Sequence, residues 1–340
     1  MVHMPEILVL FTLPFSEELL GRLRALSSRI KAVIHQARSV EELPAEILPD
    51  IEVLYTSRLL PEKEDVPKLR WIQLHTTDVN AIADHPILRS DIQVTTLSGV
   101  TAPGMAEFAL MAILAFGRRL PLMMEDKARK VWAEGRFERY MPGELRGSTV
   151  GIVGYGSVGR EIARVSRALG ANVLATKRDL KVLEDEGYCQ DGLGDPHAEL
   201  VERLYPPQAI ASMASLCDFL VITIPLTTAT RGMVGKSVFS KMKTASYLID
   251  LSSGGVVDHG ALIEALNEGR VAGAALDVYP VEPLPEGSPL WEMPNVILSP
   301  HVAASSPKYY DLAIDCFSEN MRRYLSDQPL LNLFQAERGY

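Results

Sequence analysis

Thr149-Val-Gly-Ile-Val-Gly-Tyr-Gly-Ser-Val-Gly159 is the stretch that decides how this chain folds. The run from Thr149 to Val153 reads as a buried strand and leads directly into Gly154-x-Gly156-x-x-Gly159, after which Ile162, Ala163, Val165 and Leu169 recur at helical spacing. Each glycine of such a turn has its own task. Gly154 permits the tight strand-to-helix reversal, Gly156 lets a pyrophosphate approach the backbone, and Gly159 lets helix and strand pack closely. The first helical N–H groups, at Ser157 and Val158, then offer hydrogen bonds to phosphate oxygens. A bare glycine pattern also occurs in ordinary turns. Here a second strand, Asn172 to Thr176, begins just past Gly170 and completes the βαβ unit that a dinucleotide-binding turn requires.

The residue closing that second strand separates the two nicotinamide dinucleotides, because a carboxylate there bonds the ribose hydroxyls and repels a 2′-phosphate. Lys177 and Arg178 occupy the place. Two cations suit a phosphate, which favours NADP over NAD. The alternative leaves both as a solvated pair, with Asp179 reaching the ribose of NAD.

The 340 residues suffice for two domains, each with its own core, and the 47% hydrophobic and 23% charged composition is that of a soluble globular protein. A net charge of −9 argues against nucleic acid or an anionic membrane as partner and leaves small molecules. The longest apolar stretches, such as Ala106 to Phe116, fall short of a bilayer span, and Met-Val-His-Met-Pro-Glu6 has no signal-peptide character, so a cytoplasmic location is expected. Cys189, Cys217 and Cys316 are odd in number and widely spaced; they read as buried free thiols, with neither a disulfide framework nor a metal site.

Glu6 to Phe11 reads as a first strand and Ser16 to Ser28 as a serine-capped helix, with further strands at Ile51 to Thr56 and Leu69 to Leu74. The first hundred residues thus form an α/β domain without a glycine fingerprint. A long helix over Thr101 to Leu120 bridges to the second domain. There, strands at Phe219 to Ile224, Ala245 to Leu251, Gly273 to Val278 and Val296 to Ser299, alternating with helices such as Gly260 to Glu268, predict a parallel, doubly wound sheet. A last helix, Pro307 to Leu325, returns the chain to the first domain. Leu180 to Met213 is longer than a βα connection needs and reads as an insertion, either a floppy surface loop or a lid.

Chemistry concentrates in three C-terminal segments: Tyr247-Leu-Ile-Asp-Leu-Ser-Ser-Gly-Gly-Val-Val-Asp258, Gly273-Ala-Ala-Leu-Asp-Val-Tyr-Pro-Val-Glu-Pro283 and Asn295-Val-Ile-Leu-Ser-Pro-His301. Each runs from a strand into a loop at the carboxyl edge of the sheet, where ligands bind in open α/β folds. Glu282 and His301 can converge there. A carboxylate beside an imidazole orients the ring and stabilises the imidazolium, as proton exchange between an alcohol and a ketone requires. A structural hydrogen bond between the two is the bland alternative.

With these segments, Glu144-Leu-Arg-Gly147, Pro225-Leu-Thr-Thr-Ala-Thr-Arg-Gly232, Ser288-Pro-Leu-Trp291, Asn320 and Gly339-Tyr340, the chain resembles the D-isomer-specific 2-hydroxyacid dehydrogenase family over nearly its whole length. The resemblance implies a Rossmann cofactor domain, residues 103–304, inserted in a flavodoxin-like substrate domain of residues 1–102 and 305–340. It further implies His301 as acid–base residue, Glu282 as its partner, and Asp277, Leu251 and the loop carrying Pro225 and Thr230 at the nicotinamide end, in a homodimer.

Two departures bear on the substrate. Where family members carry the arginine that clamps a substrate carboxylate, this chain has Ser253 followed by Gly254. Loss of a bidentate clamp costs about 2–4 kcal/mol of transition-state binding. In place of the family's Gly-Ala-Gly-Val-Asp-like loop stands His75-Thr-Thr-Asp-Val79, so His75, Thr76 and Thr77 are expected to shape the substrate pocket. His75 or Arg58 is a candidate for the missing positive charge. Reduction of a small 2-keto acid is the first expectation; a nucleotide-binding sensor or scaffold that has lost catalysis with the arginine is the alternative.

Overall fold

The computed structural model describes residues 5–77 and 79–335 and divides into two compact units. The first takes the chain up to Val100, Glu186–Tyr188, and the chain from Ser306 onward; the second takes Thr101–Asp185 and Cys189–Ser305. Asp78, Gly339 and Tyr340, named above, lie outside the described residues.

The first unit holds five parallel strands: β1 (Ile7–Phe11), β2 (Ile30–Ile34), β3 (Val53–Thr56), β4 (Trp71–Leu74) and β5 (Gln93–Thr95), in the order β2-β1-β3-β4-β5. This is the flavodoxin-like order. Ile-Leu-Val-Leu-Phe in β1 is apolar throughout because both faces of a parallel sheet are covered. Val9 and Phe11 join a core with Trp71, Phe317 and Met321, while Leu10 joins Leu54, Ile72 and Val94 on the other side. The helix Glu17–Arg24 starts where Ser16 Oγ accepts the Leu19 N–H, with Glu17 and Glu18 in its first turn and Arg22 and Arg24 in its last. The closing helix Tyr309–Leu325 seats Phe317 4.8 Å from the fully buried Trp71 ring, whose indole N–H donates to Thr95 Oγ1 at 2.7 Å. Strands β2 and β5 were not expected from sequence.

The second unit has seven parallel strands: β6 (Thr149–Val153), β7 (Asn172–Thr176), β8 (Arg203–Tyr205), β9 (Phe219–Ile222), β10 (Tyr247–Asp250), β11 (Gly273–Leu276) and β12 (Val296–Leu298). Their order is β12-β11-β10-β9-β6-β7-β8, the Rossmann order with one added strand. Alternate residues feed opposite cores. Val150 and Ile152 pack with Ala109 and Ile113 of the helix Ala102–Gly117 and with Ile162 of the helix Ser157–Ala168, while Val153, Leu220 and Leu248 pack with Met213 and Leu262. Among the described residues no helix is long and apolar enough to cross a membrane.

Three expectations need correction. The helix expected over Thr101 to Leu120 ends at Gly117, because Arg119 takes a left-handed conformation (φ 60°) before a second helix, Leu120–Ala128. The expected insertion is neither loose nor wholly an insertion. Its last part is β8 and the helix Ile210–Ala214, and residues 180–202 are pinned by the buried Arg160. That guanidinium donates to the Asp195 carbonyl and, at 2.6 Å, to the Leu183 carbonyl; the Tyr155 hydroxyl donates to the Asp195 carboxylate. Finally, Cys189 is exposed, whereas Cys217 and Cys316 are buried and their thiols pushed up to about 12 by desolvation.

Candidate active site

At the carboxyl end of β6 the three glycines separate by cause. Gly154 has φ +109°, and a Cβ there would stand 2.5 Å from Ile224 Cγ2. A Cβ on Gly159 would overlap the Gly154 carbonyl oxygen, so helix and strand approach too closely for any side chain. Gly156 differs: its φ of −93° suits any residue, and a Cβ there would meet no atom within 4 Å. Nothing inside the protein requires glycine at 156. The open space adjoins the N-terminus of the helix Ser157–Ala168, whose first N–H groups, at Ser157 and Val158, have no acceptor within the helix.

The turn is braced from both neighbouring strands. Gly154 N–H donates to Thr176 Oγ1 at 3.1 Å, and Thr223 Oγ1 donates to the Gly154 carbonyl at 2.9 Å. Sequence reasoning missed both threonines, although Thr176 ends β7 and Thr223 directly follows β9. Lys177, half-buried, and Arg178, exposed, follow β7, while the Asp179 carboxylate accepts the Lys181 N–H at 2.9 Å. The loop from Pro225 closes on itself through Thr230 Oγ1, which donates to the Pro225 carbonyl at 2.7 Å and accepts the Thr227 N–H at 2.7 Å. It is tied to the turn after β10 by the Gly232 N–H, donated to the Gly255 carbonyl at 2.9 Å.

In that turn Leu251 is buried and Ser253 half-buried, and Gly254, at φ +67°, leaves no room for a Cβ beside the Tyr279 carbonyl. Asp250, at the end of β10, is fully buried; Oδ1 accepts the Ser252 N–H at 3.1 Å and Oδ2 has no partner. Desolvation pushes its carboxyl up to about 6, and the neighbouring Asp277 adds to the rise.

Asp277, at the end of β11, is the buried anchor of the loop that carries His301. Its Oδ1 accepts Ser299 Oγ–H at 2.7 Å and the Val302 N–H at 2.8 Å, and Oδ2 accepts the Ala303 N–H at 2.9 Å. These bonds bracket His301, which stands at φ +55°, a costly conformation for a residue with a Cβ. The His301 Nδ1 lies 2.8 Å from Glu282 Oε2, and Glu282 Oε1 accepts the Tyr279 N–H at 3.0 Å. An ionised Glu282 can only accept, so Nδ1 carries the proton and Nε2 is left to exchange one. The pair remains open to solvent, with the His301 side chain 55% exposed.

In the first unit, His75 follows β4 within an aromatic surround. Its ring centroid lies 5.0 Å from those of Tyr309 and Tyr310 and 5.8 Å from that of Phe15. Burial pushes the imidazole down to about 4 and the Tyr55 phenol well above its usual range, so Tyr55 donates its hydrogen to His75 Nδ1 at 2.7 Å. His75 is therefore neutral near pH 7 and does not supply the missing positive charge. Thr76 is half-buried, and Thr77 and Arg58 are exposed.

Residues 110–303 match the family described as D-isomer specific 2-hydroxyacid dehydrogenase, NAD binding domain. A glyoxylate reductase of Aeropyrum pernix is 34% identical over 271 residues, covering 76% of this chain and 75% of that protein. A D-3-phosphoglycerate dehydrogenase of Archaeoglobus fulgidus is 31% identical over 88% of this chain, which spans only 53% of its length. Among solved structures, the D-isomer specific 2-hydroxyacid dehydrogenase from Xanthobacter autotrophicus Py2, in complex with NADPH and MES, superposes with a TM-score of 0.78 at 26% identity, covering 99% of this chain and all of that one.

The glycines yield a paired test. Gly159→Ala is expected to lower stability by about 1–3 kcal/mol through overpacking. Gly156→Ala should stay within about 0.5 kcal/mol of wild type in urea unfolding. Only in the latter is a loss of dinucleotide affinity, read by fluorescence titration, separated from a loss of folding; unchanged affinity would show that the space at Gly156 holds no ligand.

The imidazole yields a second. Above its usual value of 6.5, His75 is neutral in both folded and unfolded chains; as pH falls from there towards 4, only the unfolded chain gains the proton, so stability is lost. Asp250 runs the other way, since its folded form keeps a proton that the unfolded chain releases above 3.8, so its share is lost as pH rises towards 6. Comparing wild type with His75→Asn cancels the Asp250 contribution. The stability difference should shift against wild type by about 2–3 kcal/mol between pH 7 and pH 4, and a constant difference across that range would contradict the burial argument.

Proposed function

The chain belongs to the D-isomer-specific 2-hydroxyacid dehydrogenase family, and from that premise we propose that it interconverts a small 2-keto acid and its 2-hydroxy acid by hydride transfer, preferring NADP to NAD. The observation that carries this reading is the 2.8 Å bond between His301 Nδ1 and Glu282 Oε2, which leaves Nε2 free for chemistry. The nicotinamide supplies the hydride when bound. The Gly154–Gly159 turn, with the Ser157 and Val158 amides, would hold its pyrophosphate, and Lys177 and Arg178 a ribose phosphate. Pro225, Thr230 and Leu251 would border the nicotinamide end, with Asp277 acting there through the loop it holds.

His301 delivers the proton to the carbonyl oxygen as negative charge develops on it, and takes it back in the reverse direction. Glu282 fixes the tautomer and compensates the imidazolium. Ser253 contributes a hydroxyl where a guanidinium would grip the substrate carboxylate. Thr76, Thr77 and the neutral His75 are assigned to the substrate as hydrogen-bonding groups, leaving Arg58 as the candidate for the missing charge. Without a bidentate partner, affinity for small 2-keto acids should be low.

The same reading makes the protein a homodimer. Met123 and Met124 on the helix Leu120–Ala128, with Trp132 (86% exposed) and Phe137 (71% exposed) just after it, place four exposed apolar side chains in one short segment, which a second subunit would cover. A reducing, cytoplasmic setting agrees with three free thiols.

His301→Ala is expected to lower kcat by about 100- to 10,000-fold in a panel of 2-keto acids while dinucleotide affinity stays near wild type; unchanged turnover would remove His301 from the mechanism. For the cofactor, Lys177→Asp should weaken NADPH binding about tenfold, roughly 1.4 kcal/mol, with NADH affected less. Undiminished NADPH binding would end the phosphate assignment.

A further inference from the structure

Between Asp185 and Cys189 the chain leaves the second unit, contributes Glu186, Gly187 and Tyr188 to the first, and returns. Four peptide crossings therefore join the units, after Val100, Asp185, Tyr188 and Ser305, where an inserted domain needs two. Both ends of the excursion are fastened. In the second unit, Arg160 Nε lies 3.5 Å from the Asp185 carboxylate, the same guanidinium bonds the Leu183 and Asp195 carbonyls, and the Asp185 N–H donates to the Pro196 carbonyl at 2.9 Å. In the first, the Tyr188 ring is buried with Leu97, Val100, Ala313 and Cys316. Its N–H donates to Asn332 Oδ1 at 3.0 Å, and Asn332 Nδ2 donates in turn to the Ser98 carbonyl at 2.8 Å.

Only Glu186 and Gly187 separate the two anchors. Three trans peptides span at most about 11 Å at 3.8 Å each, so the Asp185 and Tyr188 Cα atoms stay within that reach whatever else the units do. A surface loop has no need of a buried guanidinium at one end and a buried tyrosine at the other. We propose that residues 183–196 are a strap whose short, doubly anchored span limits how far the two units move apart. The restraint acts on the relative motion of the two units, and it holds independently of which substrate is turned over.

The test severs the strap in the full-length protein. A site-specific protease sequence is inserted between Glu186 and Gly187, and spin labels are placed at Glu46→Cys and Lys241→Cys, both exposed and one in each unit, in a Cys189→Ser background. Distance distributions from pulsed electron resonance are compared before and after cutting. Cutting should at least double the width of the distribution. Tyr188→Ala, which frees the first-unit anchor without breaking the chain, should broaden it by a smaller amount in protein lacking the insertion. A distribution of the same width in the cut protein as in wild type, or in Tyr188→Ala as in wild type, overturns the proposal.

Discussion

Parallel pairing of β6 with β9 is the constraint on which the rest of the second unit depends. Val150 lies opposite Phe219 and Val153 opposite Ile222, so both strands end at one level although some seventy residues separate them. The chain leaves β6 towards β7 and β9 towards β10, on opposite sides, which makes the switch point outside which open α/β folds bind their ligands. The Gly154–Gly159 turn and the Pro225 loop flank that switch point. Thr223 joins them with one hydrogen bond to the Gly154 carbonyl, and helix and strand meet too closely at Gly159 for any side chain.

The next pair of strands shows how differently two buried carboxylates can be used. Asp277 receives three hydrogen bonds, all from one loop, and so converts the cost of burying a carboxylate into a fixed backbone path around His301. Asp250, a strand away, receives one, leaves an oxygen unpartnered and is driven towards its protonated form. The first makes a left-handed histidine tolerable. The second leaves a strained carboxyl beneath the turn that carries Ser253.

The parallel, doubly wound cofactor sheet was legible in the sequence because most of its strands are continuous apolar runs punctuated by glycine, and the pairing of Glu282 with His301 because both follow such runs. Elements with a weaker signature escaped. β8 is the tripeptide Arg203-Leu204-Tyr205 ahead of two prolines, and β2 carries Lys31 at its second position. The neutrality of His75 was invisible because the rings that bury it, Phe15 and Tyr309, lie some sixty and more than two hundred residues away. Tyr188 looked like part of a loop for the same reason: its pocket is assembled from residues near positions 100 and 315. Long-range burial, which no local pattern encodes, accounts for each of these failures.

The three tryptophans are divided unevenly between the units. Trp71 is sealed in the first, while Trp132 and Trp291 stand in solvent on the second. Indole emission shifts to shorter wavelength in a dry environment, so Trp71 of the first unit emits at the blue end and Trp291 of the second at the red end, while Trp132 moves from red to blue when a second subunit covers it. The emission spectrum thus reports on assembly as well as on folding, with no label added.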